Sequence, residues 1–499
     1  MDLKTGEMRV AGQDGVDLRG NTSTSFKHFA PRLGIAYQVN SKTVVRLGYG
    51  RSYDIGVFGS IFGHAITQNL PVLGAQQLNA ASNGAFVFNL AAGPPAFDPA
   101  TKLANNCNLV TDPSGLLTTC LGVNGRPLVP DKVFSRARPF NNRLPSVDQW
   151  NVTVQRQITP TVSGTLAYVG NKGTHTFAGG GPAYGGNDPT VKGYLPGCGY
   201  LTGSVTVPDP LTCPNGALPH DSRRPFYLLY GWTQNIDYFG NDADNHYNSL
   251  QATVEKRFSS GLSFNANYTF QHSTNYDGSY YNIDRRVAYG PNDDYRNHLF
   301  ILTQVYDLPF GRGKKWAGSV GRAADLVFGG WSINSATIIG SGLPFTPGLN
   351  NCGPEIDVGP CRANIVGTVK DGPRSGSPET PGYWFQTTGG VSLAANVCGG
   401  ATPATSGPWG QPGCDSFGNV GRNSFRGPKF FNTDFSVFKS FSLTERFKTQ
   451  FQFNAYNVFN HVNFDRPNGC VDCGNGGSIT GLAFGSTMRR LQFGLKVSF

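Results

Sequence analysis

The sequence predicts an all-β protein, a transmembrane antiparallel up-and-down β-barrel wall of about 11 strands with long extracellular loops and short periplasmic turns. Three observations carry this. Apolar and polar residues alternate with period two in segment after segment. The connections between those segments are alternately short and long. Gly (66), Phe (35) and Tyr (20) are abundant while charged residues make up only 14%, a composition that suits strands and turns better than helices.

Taken in order, alternation predicts strands over 29–39 and 44–53 joined by NSKT, then 147–158 and 162–171 joined by TPT, then 246–258 and 262–272 joined by SSG. The series continues with 296–308 and 331–341 across a compact GRGKKW segment read as a short helical turn, 430–441 and 446–458 joined by SLTE, and 489–499. Each is near the ~9–11 residues that a tilted strand needs to cross a bilayer. Between the pairs lie connections of roughly twenty to ninety residues, a parity that periplasmic turns and extracellular loops impose and a soluble sandwich does not. It also fixes direction, so the last strand runs downward to a periplasmic end.

The face patterns show what each side meets. In LSFNANYTFQ, Phe264, Ala266, Tyr268 and Phe270 oppose Ser263, Asn265, Asn267, Thr269 and Gln271, and in FKTQFQFNAYN, Phe451, Phe453 and Ala455 oppose Gln450, Gln452 and Asn454. A polar inner row suits a wet lumen or a polar plug, whereas a soluble sandwich would turn the apolar row inward. Summed over so many strands, apolar rows left in water would aggregate. Three descending strands end alike: Val154, Arg156, Ile158; Val254, Lys256, Phe258; and Val437, Lys439, Phe441. A cation on the lipid face costs roughly 2–4 kcal/mol at the midplane and about 0–1 at the interface, which places Arg156, Lys256 and Lys439 at the periplasmic interface; the plainer alternative is that basic residues border turns.

Hydropathy does not reveal a barrel. No run reaches the ~18 apolar residues of a membrane helix, and mean hydropathy is −0.28, because alternating strands average out. The net charge of +10 comes from Lys and Arg scattered among aromatics with no basic run, which argues against a nucleic-acid partner and for a surface beside anionic headgroups. The start MDLKTGEMRV has no secretory pattern, so the protein is expected to be cytoplasmic or to begin upstream. The cysteines favour the second. They stand at Cys107 and Cys120, Cys198 and Cys213, Cys352 and Cys361, Cys398 and Cys414, and Cys470 and Cys473, all in long connections. Sequential pairing would staple each loop and needs an oxidising compartment. For CVDC a redox or zinc half-site is the alternative, but no second C-x-x-C or histidine spacing accompanies it.

Catalytic and metal chemistry find little support. The histidines show no H-E-x-x-H spacing. Asp242, Asp244 and Asn245, and Asp293 with Asp294, offer oxygen ligands without an EF-hand pattern and read as solvated loop. His220, Asp221 and Ser222, or His246 with Ser249, lack a nucleophile elbow. The expectation is a non-enzyme with no catalytic, cofactor or metal site.

Several segments together resemble a known family: FAPRLGIAYQVNSKTVVRLGYGRSYD, DQWNVTVQRQITPTVSGTLAYVGNKGTH, NHYNSLQATVEKRFSSGLSFNANYTFQHS, DLPFGRGKKW followed by GGWSINSATIIGSGLPFT, and FNAYNVFNHVNF. In this order they are similar to the carboxyl-terminal barrel half of TonB-dependent receptors, in particular the Oar-like group. The resemblance implies a barrel of about 22 strands with an amino-terminal plug, importing a ligand with energy delivered by the TonB complex, in the cell outer membrane of a Gram-negative-type bacterium. No plug or TonB-contacting box is present, and an odd strand count cannot close an antiparallel barrel, so residues 1–499 are expected to be the C-terminal portion of such a barrel. The terminal strand resembles the signal read by the barrel assembly machinery, which implicates Phe493, Leu495, Val497 and Phe499. Siderophores, cobalamin, oligosaccharides and peptides all remain possible ligands. Surface display or adhesion, a passive pore, and a secreted soluble β-protein are the alternatives; the last would need no detergent for extraction.

Overall fold

The structure is a computed structural model. It describes every residue except 14, 19–25, 55–67, 70–72, 74–85, 94–120, 130–132, 139–142, 178–183, 188–199, 203–204, 208–223, 233, 242, 277–284, 351–361, 374–381, 394–403, 413–417, 443–446 and 499. Eleven long strands form one antiparallel sheet in strict sequence order: β1 (Arg32–Asn40), β2 (Thr43–Tyr53), β3 (Ser146–Thr159), β4 (Val162–Thr176), β5 (Ala243–Ser259), β6 (Leu262–Tyr276), β7 (His298–Asp307), β8 (Trp331–Gly340), β9 (Phe430–Ser442), β10 (Lys448–Tyr456) and β11 (Arg490–Ser498). Every segment that alternation marked is a strand of this sheet.

The tight hairpins follow from local chemistry. Asn40 Oδ1 accepts from the Lys42 amide at 2.9 Å, and Thr159 Oγ1 accepts from the amides of Thr161 and Val162, side-chain turns that reverse the chain in two residues. In the third, Ser260 and Gly261 both have positive φ, 52° and 82°, which a type I′ hairpin requires. The SLTE turn falls largely on residues outside the description.

Register carries the period-two pattern across the sheet. Val45, Val154, Leu166, Ala252, Tyr268, Phe300, Ile339 and Phe431 pair in succession along one row. Behind it, Gln155, Thr165, Thr253, Asn267 and then Ile301, Ile338 and Asn432 do the same. The polar face is concave, because five neighbouring strands, β5 to β9, border one hollow of about 580 Å³ on that side. β7 and β8 depart from strict polarity, presenting Ile301 and Ile338 to the concave side. β4 and β6 run past the expected ends at 171 and 272, to Thr176 and Tyr276, since ladder pairing continues through polar residues such as Thr174 and Ser273 after the apolar row has ended.

Between β7 and β8 the chain forms α1 (Arg322–Phe328), the helical turn expected near GRGKKW. It is clamped to the convex face at the short-turn end. Trp331 Nε1 donates to the Val327 carbonyl at 2.8 Å, and the Lys439 ammonium donates to the carbonyls of Val327 and Gly329 and sits 5.2 Å from the centroid of the Trp331 ring. Trp331 pairs directly with Lys439 on the convex row. Gly330, at φ 68°, has no room for a Cβ against the Ser440 carbonyl, which lets α1 turn straight into β8.

Two ordered caps stand at the long-loop end. The first buries Leu128, Val129, Ala137, Phe226, Tyr230, Trp232 and Ile236 with Met1, Leu3 and Met8 against them, and Trp232 Nε1 donates to the Val129 carbonyl at 3.1 Å. Trp232 is fully buried, so Trp232→Ala is expected to destabilise this cap by about 3–5 kcal/mol. Limited proteolysis in a urea series should then cleave 121–138 at a lower midpoint while the sheet stays resistant. The second cap buries Phe345, Leu349, Ala363, Phe385, Leu393, Trp409, Val420 and Val471.

Candidate functional site

The two faces and the capped end contain the groups able to meet a ligand, lipid or partner. On the concave wall, side-chain amides bond along the strands: Thr253 Oγ1 donates to Asn267 Oδ1 at 2.9 Å and Asn267 Nδ2 to Asn265 Oδ1 at 2.7 Å. On the far side Asn432 Nδ2 donates to Asp434 Oδ1 at 3.1 Å, and Gln452 Nε2 to Asn454 Oδ1 at 2.9 Å. Glu255, Arg257, Asn265, Thr303, Asn334 and Asp434 line the 580 Å³ hollow, where Asn334 Oδ1 is buried without a hydrogen-bond partner among the described residues. Such a wall holds water and can exchange hydrogen bonds with a polar guest.

The caps are tied down by buried polar groups. Glu7, fully buried, accepts from the Asn124 amide and side chain at 2.6 and 2.8 Å. Burial pushes its carboxyl up, but these hydrogen bonds, with others from Thr5 and Arg126, outweigh it and hold the group below the usual carboxylate range. In the second cap Asp472 accepts from the amides of Asn350 and Leu393 at 2.7 and 3.1 Å. Arg422, buried, donates to Asp293 Oδ2 at 2.7 Å and to Asn275, while Asn423 Nδ2 donates to Asp293 Oδ1 at 2.6 Å. Asp294 pairs with Arg466.

Asp293 and Asp294 are both exposed, as a solvated loop implies, and each also meets an arginine from another loop. Their partners lie more than a hundred residues downstream; Asp293, bonded to both Arg422 and Asn423, clasps two loops, whereas Asp294 keeps a surface ion pair. Asp244 lies 3.8 Å from His246 Nε2, and Asn245 Oδ1 accepts from the Gly173 amide; Asp242 and the trio His220, Asp221 and Ser222 lie outside the described residues. Cys470 and Cys473 form a disulfide with Cα atoms 5.6 Å apart. With Asp472 they make up a compact group of metal-type ligands, but the sulfurs are joined to each other and the carboxylate is committed to two backbone amides. The other eight cysteines, 107, 120, 198, 213, 352, 361, 398 and 414, lie outside the described residues.

At the short-turn end Arg156 and Lys256 follow the convex row, paired with Thr43 and Phe264 respectively, and the Lys256 ammonium donates to the Ser259 carbonyl and hydroxyl. Lys439 is only 6% exposed, covered by α1. On β11, Phe493, Leu495 and Val497 stand on the convex face opposite Phe453, Phe451 and Thr449, with the Phe453 and Phe493 rings 5.1 Å apart. Phe499 lies outside the described residues. Sequence reasoning missed the α1 clamp, Glu7 and Arg422, since none belongs to a periodic or spaced motif.

A family model described as Outer membrane beta barrel domain matches residues 1–492. The chain belongs to this family. Its convex apolar rows therefore meet outer-membrane lipid and its concave polar face lines the barrel interior. No curated protein matches the sequence. Similar solved structures include the outer membrane transporter YddB from Escherichia coli, at 9% identity and TM-score 0.40, covering 94% of this chain and 40% of that one. Others are the ferric preacinetobactin receptor BauA from Acinetobacter baumannii, at 8% and 0.36, covering 94% and 36%, and the FrpB iron transporter from Neisseria meningitidis, at 7% and 0.36, covering 94% and 39%. The chain spans two fifths or less of the length of each.

Proposed function

We propose that this chain is the C-terminal part of the barrel of a TonB-dependent receptor, of the Oar-like group, that captures an extracellular ligand and imports it. The observation that carries this reading is a concave wall of amides, hydroxyls and carboxylates lying beneath two ordered caps at the long-loop end: the caps shape an entrance, and the wall offers a wet path behind it. β1 and β11 are not paired with each other in the sheet, and unpaired edges in hydrocarbon cost several kcal/mol per group, which supports a larger barrel. A plug would close it and carry the contact to the TonB complex; the barrel assembly machinery would insert it; no enzymatic step is involved. Display of the caps for adhesion, without transport, is the second reading, supported by how firmly the caps are clasped.

An epitope inserted between Ser41 and Lys42 should be reached by antibody only after the outer membrane is permeabilised, whereas one between Gly389 and Gly390 should be reached on intact cells. In cells carrying the whole gene, a panel of labelled ferric siderophores, cobalamin and oligosaccharides should show one compound accumulating only when TonB is present. TonB-independent surface binding with no accumulation would establish display instead.

A further inference from the structure

A second hollow, of about 980 Å³, opens where β7, β8 and β9 meet the second cap. Alternation fixes which face it occupies. Tyr268 and Phe270 stand on the convex row, the Tyr268 hydroxyl is 2.8 Å from His298 Nδ1, and the Phe270 and His298 rings stack with centroids 4.9 Å apart. Ser341 and Lys429 continue the same row one step beyond the Gly340–Leu299 and Gly340–Phe430 pairs. Phe431, also convex, stacks on Phe459 at 5.7 Å and meets His461 edge-on at 5.5 Å. The hollow is therefore on the lipid side, at the height of the headgroups nearest the long loops.

Its lining is basic and aromatic. Lys429, His298 and His461 contribute to its polar part with Asn297, Ser341 and Asn460, beside Arg426, which already donates to Tyr295; Trp384 and Phe459 contribute to the apolar part, and no Asp or Glu is among the described lining residues. Lys429 is exposed, and its ammonium has no hydrogen bond or ion pair with any described residue. One convex position further from the long loops, Phe300, Ile339 and Phe431 pair in succession and form an apolar track toward the midplane. A soluble anion would use the cations and leave the track unused; an acyl chain would use the track and leave the cations unused.

We propose that this hollow binds the phosphate-bearing headgroup of an acylated lipid in the leaflet beside the long loops, its acyl chains descending over Phe300, Ile339 and Phe431. Lys and Arg recognise phosphate through charge-assisted hydrogen bonds, and basic pockets at membrane boundaries take anionic headgroups. The site is independent of transport and would stand if the chain only displays its caps.

The test uses the whole protein purified in neutral detergent. Native mass spectrometry would compare a diphosphorylated acylated glucosamine disaccharide, its dephosphorylated form and inorganic phosphate. The diphosphorylated lipid should bind, the dephosphorylated lipid should bind far less, and inorganic phosphate should not compete at equal concentration. Lys429→Glu should weaken binding by about tenfold and Lys429→Arg should preserve it; neither should disturb folding, since the exposed side chain has no hydrogen bond or ion pair with a described residue to lose. Equal binding of the dephosphorylated lipid, full competition by inorganic phosphate, or an unchanged affinity in Lys429→Glu would each overturn the proposal.

Discussion

Leu250→Arg will cripple the barrel, and Gln251→Arg, its immediate neighbour, will not. Leu250 sits on the convex row of β5, opposite Tyr168 and Phe270, 44% exposed. It lies on the lipid-facing row between His246 near the long-loop end and Lys256 near the short turn, so a charge there meets hydrocarbon. The expected cost is about 2–4 kcal/mol, or roughly a thirty- to thousand-fold fall in the folding equilibrium constant. Gln251 points the other way, its amide donating to Ser249 Oγ at 3.2 Å, and an arginine there would enter the wet interior. Equilibrium unfolding of the complete barrel in lipid vesicles measures both. If the two variants lose equal stability, lipid does not lie against the convex face.

A second large effect is expected at the closing strand. Phe493 is 67% and Leu495 70% exposed, with no strand beyond β11 in the sheet to cover them. Replacing Phe493, Leu495, Val497 and Phe499 by serine should abolish outer-membrane assembly in cells, since each large apolar side chain contributes about 1.5–3 kcal/mol when removed from water. Replacing Gln492 and Lys496 by serine should be nearly silent. Phe499→Ser alone separates recognition from packing. A recognition signal predicts that this single change blocks assembly in cells yet leaves refolding of the purified protein into detergent micelles unchanged, whereas a purely structural role predicts equal, small losses in both. Protease-resistant material in outer-membrane fractions, set against the yield of refolding, reads the difference.

The strands were legible because each obeys a local rule that its own residues satisfy. Phe264, Ala266, Tyr268 and Phe270 declare a face whatever their neighbours do, and Ser260–Gly261 declares a turn. Strand ends were less so, because β6 goes on pairing through His272, Ser273 and Thr274 after the face pattern has ended, and ladder hydrogen bonds leave no mark on composition. The caps were not legible at all. Asp293 finds Arg422 across a separation of 129 residues, and a carboxylate awaiting so distant a partner looks the same in sequence as one facing water. Lys439 shows a related limit: its position at the end of β9 could be read, but the carbonyls that bind it belong to a helix end that only the fold brings there.

That helix end also bears on how the barrel rides in its membrane. Val327 and Phe328, about 60% exposed, project from α1 with Leu326, while Trp316, Lys314 and Lys315 lie in the same excursion. Amphipathic aromatic and basic groups settle where hydrocarbon gives way to headgroups. Because α1 is bolted to Trp331 and Lys439, it cannot slide relative to the wall, and it acts as a fixed waterline on one flank. In a thinner bilayer the barrel must tilt or drag lipid toward that mark, so membrane thickness becomes a variable to which this protein is mechanically coupled.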